Sequence, residues 1–384
     1  MIDLIIQKYH RRLLAYLCIL AVTGTIMLYS ASWYESFSSS NGKTEMLFLK
    51  NHLKRLFIGI IFLFGFLLTD YRKLKIIAPY LIIVSIVLLL ITKVYYLYQG
   101  YSWYKPARWL YVGKFGFQTS DIARFSIIIF MAYYVDKKRE SLKDFQLGLF
   151  PALGLIGIIM SLIIIQPDYS TALMIYTIGM LILFIGGAKL SQLCLSTGIA
   201  MLIGIPVLLS REYRRERILS FLNIGDNPDI GYQANQSLIS LGNGGIFGVG
   251  LGNSIEKNHF LPTPHTDFIF AIIGEELGFV IGTVPVLTLF LLIFFRGVKI
   301  SKNCTDPFGV FLAVGIVFNL VLYAFVNAAV VTGLFPVTGL PMPMVSYGGS
   351  GMIINMSLMG ILLNISQSKR SLVNPVTWSP PLYE

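Results

Sequence analysis

Charged residues are scarce in this sequence, and their scarcity argues against an ordinary water-soluble fold. Only 13% of the 384 residues are Asp, Glu, Lys or Arg, whereas 55% are hydrophobic. A typical soluble domain is about 25% charged. Apolar blocks of about 20 residues, the length of a helix that crosses a bilayer, recur along the whole chain. We therefore expect an all-α, polytopic integral membrane protein.

Cysteine and histidine are also rare, which limits the chemistry open to the chain. The three Cys residues show no spacing typical of a disulfide framework or a zinc site. The four His residues do not form a metal-binding cluster, and only His265 lies among other candidate residues. Two Gly-rich stretches, 242 to 245 and 346 to 351, lack the Gly-Lys-Ser/Thr ending of a phosphate-binding loop. We therefore exclude a nucleotide site in them.

The net charge of +11 does not indicate a nucleic-acid partner. The basic residues form short clusters at the ends of apolar blocks, where contact with membrane lipid and the preference for basic cytoplasmic loops account for them. Two clusters nevertheless lie in loops that the predicted topology places outside the cell. They suggest an anionic ligand such as a pyrophosphate, although contact with lipid phosphates is the commoner explanation of any one cluster. The clusters comprise Lys105, Arg108 and Lys114, and Arg211, Arg214, Arg215 and Arg217.

Ten apolar blocks predict ten transmembrane helices. The first block follows basic residues and ends in small ones, as a signal peptide does, but its length and the many blocks after it favour a retained helix. An even number of spans places both termini on one side, which a modest excess of Lys and Arg assigns to the cytoplasm. The predicted spans are residues 13 to 32, 55 to 69, 76 to 94, 119 to 135, 147 to 165, 170 to 187, 191 to 209, 267 to 295, 307 to 331 and 351 to 367.

One connecting segment, residues 210 to 266, is far longer than the others and is rich in Gly, Asn and Pro. Long loops are usually functional or disordered. Apolar residues are distributed through this one, so we expect short interfacial helices packed on the membrane domain. The chain is thus predicted to form one membrane domain, residues 1 to 384, with a large extracytoplasmic loop between the seventh and eighth spans.

Ionisable residues in or beside apolar spans are costly and are therefore functional candidates. Asp267 begins the eighth span at the outer surface, where it is either a helix-capping acid or a catalytic carboxylate. Glu275 and Glu276 lie further along the same span. At about 12 Å down the helix, Glu275 is too deep for a bulky sugar. We therefore expect both glutamates to be structural, with Glu275 hydrogen-bonded or salt-bridged to another span.

Asp121 and Arg124 are three residues apart at the start of the fourth span, which permits a local ion pair. An equally good interpretation is purely structural, with Thr119 or Ser120 capping the helix and Asp121 in its first turn. Asp168 follows a proline in a tight turn, where Pro-Asp is common turn chemistry.

Several polar and Gly-rich motifs occur in a fixed order over nearly the whole chain. They are Gln166-Pro167-Asp168, residues 231 to 238, 242 to 248, 250 to 253, 260 to 262, 265 to 271, 274 to 278 and 333 to 339, Pro341, and Ser346-Tyr347-Gly348-Gly349-Ser350. This ordered set resembles the FtsW, RodA and SpoVE family, known as the SEDS proteins. Segments 28 to 32, 213 to 221 and 360 to 366 resemble the FtsW branch, which acts in cell division, more than the RodA branch.

The resemblance implies ten transmembrane helices, cytoplasmic termini and a location in the bacterial inner membrane, at the division septum. It implies a peptidoglycan glycosyltransferase that polymerises lipid II into glycan strands during cell-wall synthesis. The implied partners are lipid II, a class B penicillin-binding protein acting as transpeptidase, and other divisome proteins. Two other functions fit many of the same features: a flippase that moves lipid II across the bilayer, and a division scaffold without catalytic activity.

One motif differs from the family pattern. The fourth span of the family usually begins Gln-Pro-Ser-Glu and has Lys three residues after the Glu, whereas here Gln118-Thr119-Ser120-Asp121 is followed by Arg124. The signs of the charges are kept. However, Arg is a rigid planar donor and Lys a flexible point charge, so a phosphate or a partner acid is held differently.

Polymerisation of a lipid-linked disaccharide requires a base, cationic groups or a metal ion for the pyrophosphate, and a groove for the prenyl tails. Asp267 is the predicted catalytic base, as the family resemblance also implies. A divalent cation, magnesium or manganese, is the expected cofactor, and its ligands are not assigned. The predicted substrate-binding residues are Arg108, Lys114, Asp121, Arg124, Arg214, Arg215, Arg217, Gln236, Ser237, His265 and Ser346.

Overall fold

Helices form almost all of the structure. The computed structural model describes residues 11–101, 108–113, 115–210, 212–222, 228–258 and 260–367. A turn of π-helix, Phe279–Thr283, joins the helices Ile269–Gly278 and Val284–Asn303 into one long apolar segment. The helices are α1 (Arg11–Ser39), α2 (Leu47–Leu68), α3 (Leu74–Tyr98), α4 (Thr119–Lys138), α5 (Phe150–Ile165), α6 (Tyr169–Ile185), α7 (Leu190–Leu209), α8 (Glu212–Phe221), α9 (Pro228–Gly244), α10 (Ile269–Gly278), α11 (Val284–Asn303), α12 (Pro307–Val331) and α13 (Ser350–Ile365).

Seven helical segments in the described part of the chain are long and apolar enough to cross a bilayer, and α6 and α13 are apolar but shorter. The fourth predicted span, α4, is in neither group, since it carries Asp121 and Arg124 near its start and Lys137 and Lys138 at its end. Each predicted span overlaps one of these helices. The protein is therefore an all-α, multi-pass membrane protein, while the count of ten spans stays a prediction.

α12 lies at the centre of the helix bundle and α7 at its edge. Of the most apolar stretch of α12, 67% is buried by protein, compared with 6% for α7. Leu202 and other apolar residues of α7 are exposed, as expected where a helix faces lipid rather than water. Small residues let the inner helices approach closely, because a Cβ at Gly360 of α13 would collide with the Leu63 carbonyl of α2.

Charged residues tie the helices together at the end of the bundle where α3 and α12 begin. Lys75 lies 2.9 Å from the Asp136 carboxylate of α4 and 3.0 Å from the Asp306 carboxylate that precedes α12. Asn364 of α13 donates to the Leu67 carbonyl at 2.7 Å and accepts from the Tyr71 amide at 3.0 Å. These contacts fix α2, α3, α4, α12 and α13 relative to one another at this end.

A two-stranded antiparallel hairpin, which the sequence did not lead us to expect, precedes α4. β1 (Trp109–Val112) pairs with β2 (Phe115–Gln118), with Trp109 opposite Gln118 and Tyr111 opposite Gly116. A lone hairpin is only marginally stable in water. Here β2 continues directly into α4, and the Gln118 amide donates to Ser350 Oγ of α13 at 2.8 Å. The hairpin is thereby anchored to two membrane helices.

The long segment between α7 and α10 contains two short helices, α8 and α9, as expected from its apolar residues. α9 packs against α10 and α12. Ser237 of α9 donates to the Val331 carbonyl at 3.0 Å, which fixes α9 to the end of α12. Which side of the membrane carries this segment stays a prediction.

Glu275 and Glu276 are fully buried and hydrogen-bonded by protein groups. Glu275 accepts from Ser240 of α9 at 2.9 Å, from Ser254 at 2.5 Å and from the Ile255 amide at 3.0 Å. Its partners thus lie in α9 and the following loop rather than in another membrane span, contrary to our expectation. Glu276 accepts from Lys257 at 2.6 Å and from Ser30 of α1 at 2.7 Å.

The buried pair of Lys257 and Glu276 provides a test of the fold. Lys257→Met should lower the free energy of unfolding by about 3–5 kcal/mol, because it leaves Glu276 buried without a counter-charge. The double variant Lys257→Met/Glu276→Leu should recover much of this loss. Thermal unfolding of the purified protein in detergent measures both, with the exposed Lys43→Met as control. Equal melting temperatures of Lys257→Met and wild type would show that the pair does not stabilise the fold.

Candidate functional site

A cavity of about 250 Å³ lies at the end of the bundle where α4, α6, α10 and α13 begin. Its walls come from β1, the starts of these helices, Tyr323 of α12 and the α12–α13 loop, residues 332–349. The polar lining includes Arg108, Gln118, Asp121, Arg124, Asp168, Asp267 and Ser346. Five of these seven are among the substrate-binding and catalytic residues predicted from the sequence, and the structure brings them together.

Asp267 lies in the turn before α10, with its backbone fixed and its carboxylate open to the cavity. α10 begins at Ile269, and its N-cap Phe268 makes no side-chain capping bond, so Asp267 is not the capping acid that the sequence also allowed. Asn327 of α12 donates to the Asp267 carbonyl at 2.7 Å and to the Leu340 carbonyl at 2.8 Å. Among the residues that the structure describes, none donates a hydrogen bond to the Asp267 carboxylate.

The surroundings of Asp267 determine its basicity. Burial raises the pKa of the Asp267 carboxyl above that of an ordinary aspartate, because desolvation disfavours the charged form. The nearby basic residues Arg217, Arg108 and His265 lower the pKa and offset part of this shift. A carboxylate with a raised pKa is a stronger base than one in water.

Asp121 and Arg124 form the ion pair that their spacing permits. Arg124 Nη2 lies 3.1 Å from Asp121 Oδ1, and Ser350 Oγ donates to Asp121 Oδ2 at 2.7 Å. The Arg124 side chain is 2% exposed, and its guanidinium lies 4.5 Å from the centre of the Tyr323 ring. The alternative capping arrangement is absent from this helix, since the N-cap of α4 is Gln118, without a side-chain capping bond.

Asp168 belongs to the same polar lining, although sequence reasoning treated it as an ordinary turn residue. It is 3% exposed and accepts from Gln118 Nε2 at 3.1 Å and from Ser120 Oγ at 3.4 Å. Arg108 lies 3.9 Å from its other oxygen and also donates to the Pro167 carbonyl at 2.5 Å. The signal that could have identified Asp168 was its place in the Gln166-Pro167-Asp168 motif.

The basic residues of α8 lie beside the cavity rather than in its lining. Arg217 donates to the Val337 carbonyl of the α12–α13 loop at 3.1 Å. Arg214 stacks on the Tyr169 ring at 3.7 Å, and Arg215 is exposed. The predicted substrate-binding residue Lys114 lies outside the described residues.

Three other predicted substrate-binding residues are not in the lining of this cavity. Ser237 is buried between α9 and α12, and Gln236 hydrogen-bonds the Tyr232 hydroxyl at 3.3 Å. His265 is buried with its Nδ1 3.0 Å from Glu35 Oε2 of α1. Their role in binding substrate stays a prediction. By contrast, Ser346 lines the cavity and accepts from the Met342 amide at 2.8 Å, which shapes the α12–α13 loop.

A resident metal ion is not supported by the side chains of the described residues. No group of three or more His, Cys, Asp or Glu residues there converges as metal ligands. Magnesium, however, is commonly held by one or two carboxylates together with substrate phosphates. The unpartnered Asp267 carboxylate fits this second, substrate-dependent mode of binding.

Comparisons with known proteins agree with this architecture. The model of the family of FtsW, RodA and SpoVE, described as cell cycle protein, matches residues 11–371. A relative from Geobacter sp. (strain M18), named probable peptidoglycan glycosyltransferase FtsW, is 37% identical over 95% of this chain and 98% of its own. Stage V sporulation protein E of Bacillus subtilis is 36% identical over 92% of this chain and 95% of its own.

Solved structures show the same fold. A structure described as a peptidoglycan synthase complex that coordinates polymerization and crosslinking aligns with a TM-score of 0.76 at 23% identity, over 94% of this chain and 98% of the other. The rod shape determining protein RodA of Thermus thermophilus aligns with a TM-score of 0.66 at 22% identity, over 94% and 98% of the two chains. With the family model covering nearly the whole sequence and the fold in agreement, this chain belongs to the FtsW, RodA and SpoVE family of cell cycle proteins.

Proposed function

We propose that this chain is a peptidoglycan glycosyltransferase that polymerises lipid II into glycan strands during cell division. The observation that carries the proposal is the Asp267 carboxylate, which is fixed by its backbone, has no hydrogen-bond donor among the described residues and opens into a cavity lined by arginines. The name of the Geobacter relative supplies the reaction class. The roles that we propose for individual residues are based on the geometry of the cavity.

In the proposed reaction, the 4-hydroxyl of one lipid-linked disaccharide attacks the anomeric carbon of another. A new C–O bond forms as the C–O bond to pyrophosphate breaks, and the hydroxyl proton passes to the Asp267 carboxylate. Undecaprenyl pyrophosphate leaves with the bonding electrons. A raised pKa suits this role, because the base must accept a proton from a weakly acidic alcohol in the transition state.

Arginines at the cavity offset the charge that develops on the leaving pyrophosphate. Arg108 is a third exposed, and its guanidinium has N–H groups beyond the one bonded to Pro167 that can donate to a phosphate in the cavity. Arg124 is held by Asp121 and Tyr323 and provides a fixed positive charge. The first turns of α4, α6, α10 and α13 add the positive ends of four helix dipoles.

A divalent cation, magnesium or manganese, is proposed as the cofactor. When bound by Asp267 and the pyrophosphate oxygens, it would neutralise phosphate charge and act as a Lewis acid. The residues of this chain would then have two tasks, to position the pyrophosphate and to receive the hydroxyl proton.

A lipid II flippase and a catalytically inactive scaffold remain the competing functions. A flippase needs a polar path for the head group through the bundle. The deep acids Glu275 and Glu276 do not provide one, because their oxygens are already hydrogen-bonded by protein groups. A scaffold has no need for a partly buried carboxylate in a cavity that accepts no hydrogen bond from the described residues. The geometry therefore favours polymerisation.

We further propose that the chain works with a class B penicillin-binding protein, as transpeptidase, and with other divisome proteins. The similar structure is described as coordinating polymerization with crosslinking, and this proposal extends the same coupling to the present chain. The expected location is the bacterial inner membrane at the division septum, with both termini in the cytoplasm.

Substitution of the base tests the proposed function directly. Asp267→Asn should lower the rate of polymerisation by about 10²- to 10⁴-fold, because Asn keeps the size of the side chain but cannot accept the hydroxyl proton. Purified protein in proteoliposomes, with lipid II, the transpeptidase and magnesium or manganese, is assayed for glycan length on a gel. The control is Asp144→Asn, an exposed capping residue far from the cavity. Normal polymer from Asp267→Asn would remove Asp267 as the base, and loss of lipid flipping alone would favour the flippase.

A double-mutant cycle tests whether Asp121 and Arg124 act as a unit. Since Arg124 is buried against Asp121, either single substitution, Asp121→Asn or Arg124→Gln, should disrupt the same arrangement. The double variant should therefore be no slower in polymerisation than the worse single variant. Strictly additive losses of rate would contradict the pairing.

The pH dependence of the rate tests the environment of Asp267. Polymerisation should fall as the pH drops through the pKa of Asp267, and this limb should lie above the ordinary aspartate value of about 3.9. Arg217→Gln should move the limb to still higher pH, because it removes a charge that favours the ionised form. Rates measured from pH 4 to 8 on the two proteins check this. A limb that stays in place in Arg217→Gln would show that Asp267 does not control it.

A further inference from the structure

One face of the β1–β2 hairpin lines the cavity and then continues beyond it. In a hairpin, directly opposed residues and residues two apart on one strand share a face. Trp109 and Gln118 are opposed, and both line the cavity. Tyr111 and Gly116 form the pair two residues further out on the same face. The surface of the hairpin therefore leads from the cavity to its outside.

The outer pair presents an open aromatic ring. A Cβ at Gly116 would lie 2.7 Å from the Tyr111 ring, so the ring lies across the glycine and a larger residue there would displace it. Tyr111 is nevertheless 62% exposed. Trp109 lies about 6.8 Å away along the strand. Its ring packs against Gly349 at the edge of the cavity.

We propose that Trp109 and Tyr111 form a binding track for the sugar rings of the growing glycan strand as it leaves the cavity. This inference rests on the proposed function, since it assumes that the product is a polysaccharide. The apolar C–H faces of a pyranose ring pack on an aromatic ring, while its hydroxyl groups remain in water. Tyrosine and tryptophan suit such a site because they combine a large rigid apolar surface with a polar edge.

The spacing and position of the two rings favour a glycan over other ligands. The two rings are about 6.8 Å apart along the strand, so one extended chain can contact both. The inner ring borders the cavity that holds Asp267, so a chain that extends from the reaction site meets the two rings in succession. A tyrosine that only anchors the protein in the head-group region would need no continuity with the cavity.

Direct binding tests the track without relying on catalysis. The probe is chitotetraose, a soluble β(1→4)-linked chain of N-acetylglucosamine, titrated against the purified full-length protein by NMR. Tyr111→Ala should weaken binding roughly two- to tenfold, the loss of one aromatic contact. Tyr111→Phe and Tyr111→Trp should bind like wild type, whereas Tyr111→Leu, which is apolar but not aromatic, should bind as weakly as Tyr111→Ala. Thermal unfolding confirms that each variant is folded.

Glycan length in the polymerisation assay provides the second measurement. Tyr111→Ala should yield shorter strands than wild type, while Tyr98→Ala, a 91% exposed tyrosine at the end of α3, should yield strands of normal length. Shortening by both variants would indicate general anchoring in the membrane and overturn the proposal. Equal affinity and length for wild type and Tyr111→Ala would overturn it as well, as would Leu binding as well as Phe. If wild type bound chitotetraose but made no polymer, the proposed function would fail while the sugar-binding track stood.

Discussion

The structure depends on one constraint, which is that the interior of a bilayer contains no water to pair with polar groups. Backbone amides and carbonyls in such a medium must be satisfied within the protein, and helices achieve this within each segment. The same constraint makes each buried polar side chain costly unless a partner is built in. Several polar residues of this protein accordingly pair with one another between segments of the chain, in groups separated by apolar surface.

These groups are distributed so that they join different parts of the chain. Lys75 joins α3, α4 and the start of α12 at one end of the bundle. Glu276 and Lys257 join α10 to α1 and to the loop after α9. In both groups the lysine is ion-paired with a carboxylate, which is why we assign them to stability rather than to chemistry. They hold in place helices that contribute to the cavity, either at their other ends or through the loops next to them.

In the cavity, too, buried acidic residues have partners within the protein, with one exception. Asp121 and Asp168 each face an arginine and accept hydrogen bonds, whereas the Asp267 carboxylate has no donor among the described residues. Its backbone carbonyl, however, is fixed by Asn327, which holds this residue at the cavity. An acid whose carboxylate accepts no hydrogen bond from the described residues can exchange a proton without dismantling the surrounding structure. Some polar groups of the cavity thus stabilise the structure, while another is available to react. This explains how a polar reaction site can exist at the surface of an apolar bundle.

Local sequence determined which segments enter the bilayer, because the transfer free energy of an apolar block depends on its own composition. The ten predicted spans therefore overlap helices, and the spacing of Asp121 and Arg124 permitted the ion pair that the structure shows. Only the tertiary structure decided that Asp168 and Asp267 meet this pair in one cavity, since these residues belong to different helices and local patterns carry no information about distant contacts. The same holds for the partners of Glu275 and for the hairpin, whose short strands are stabilised by α4 and α13 rather than by their own residues.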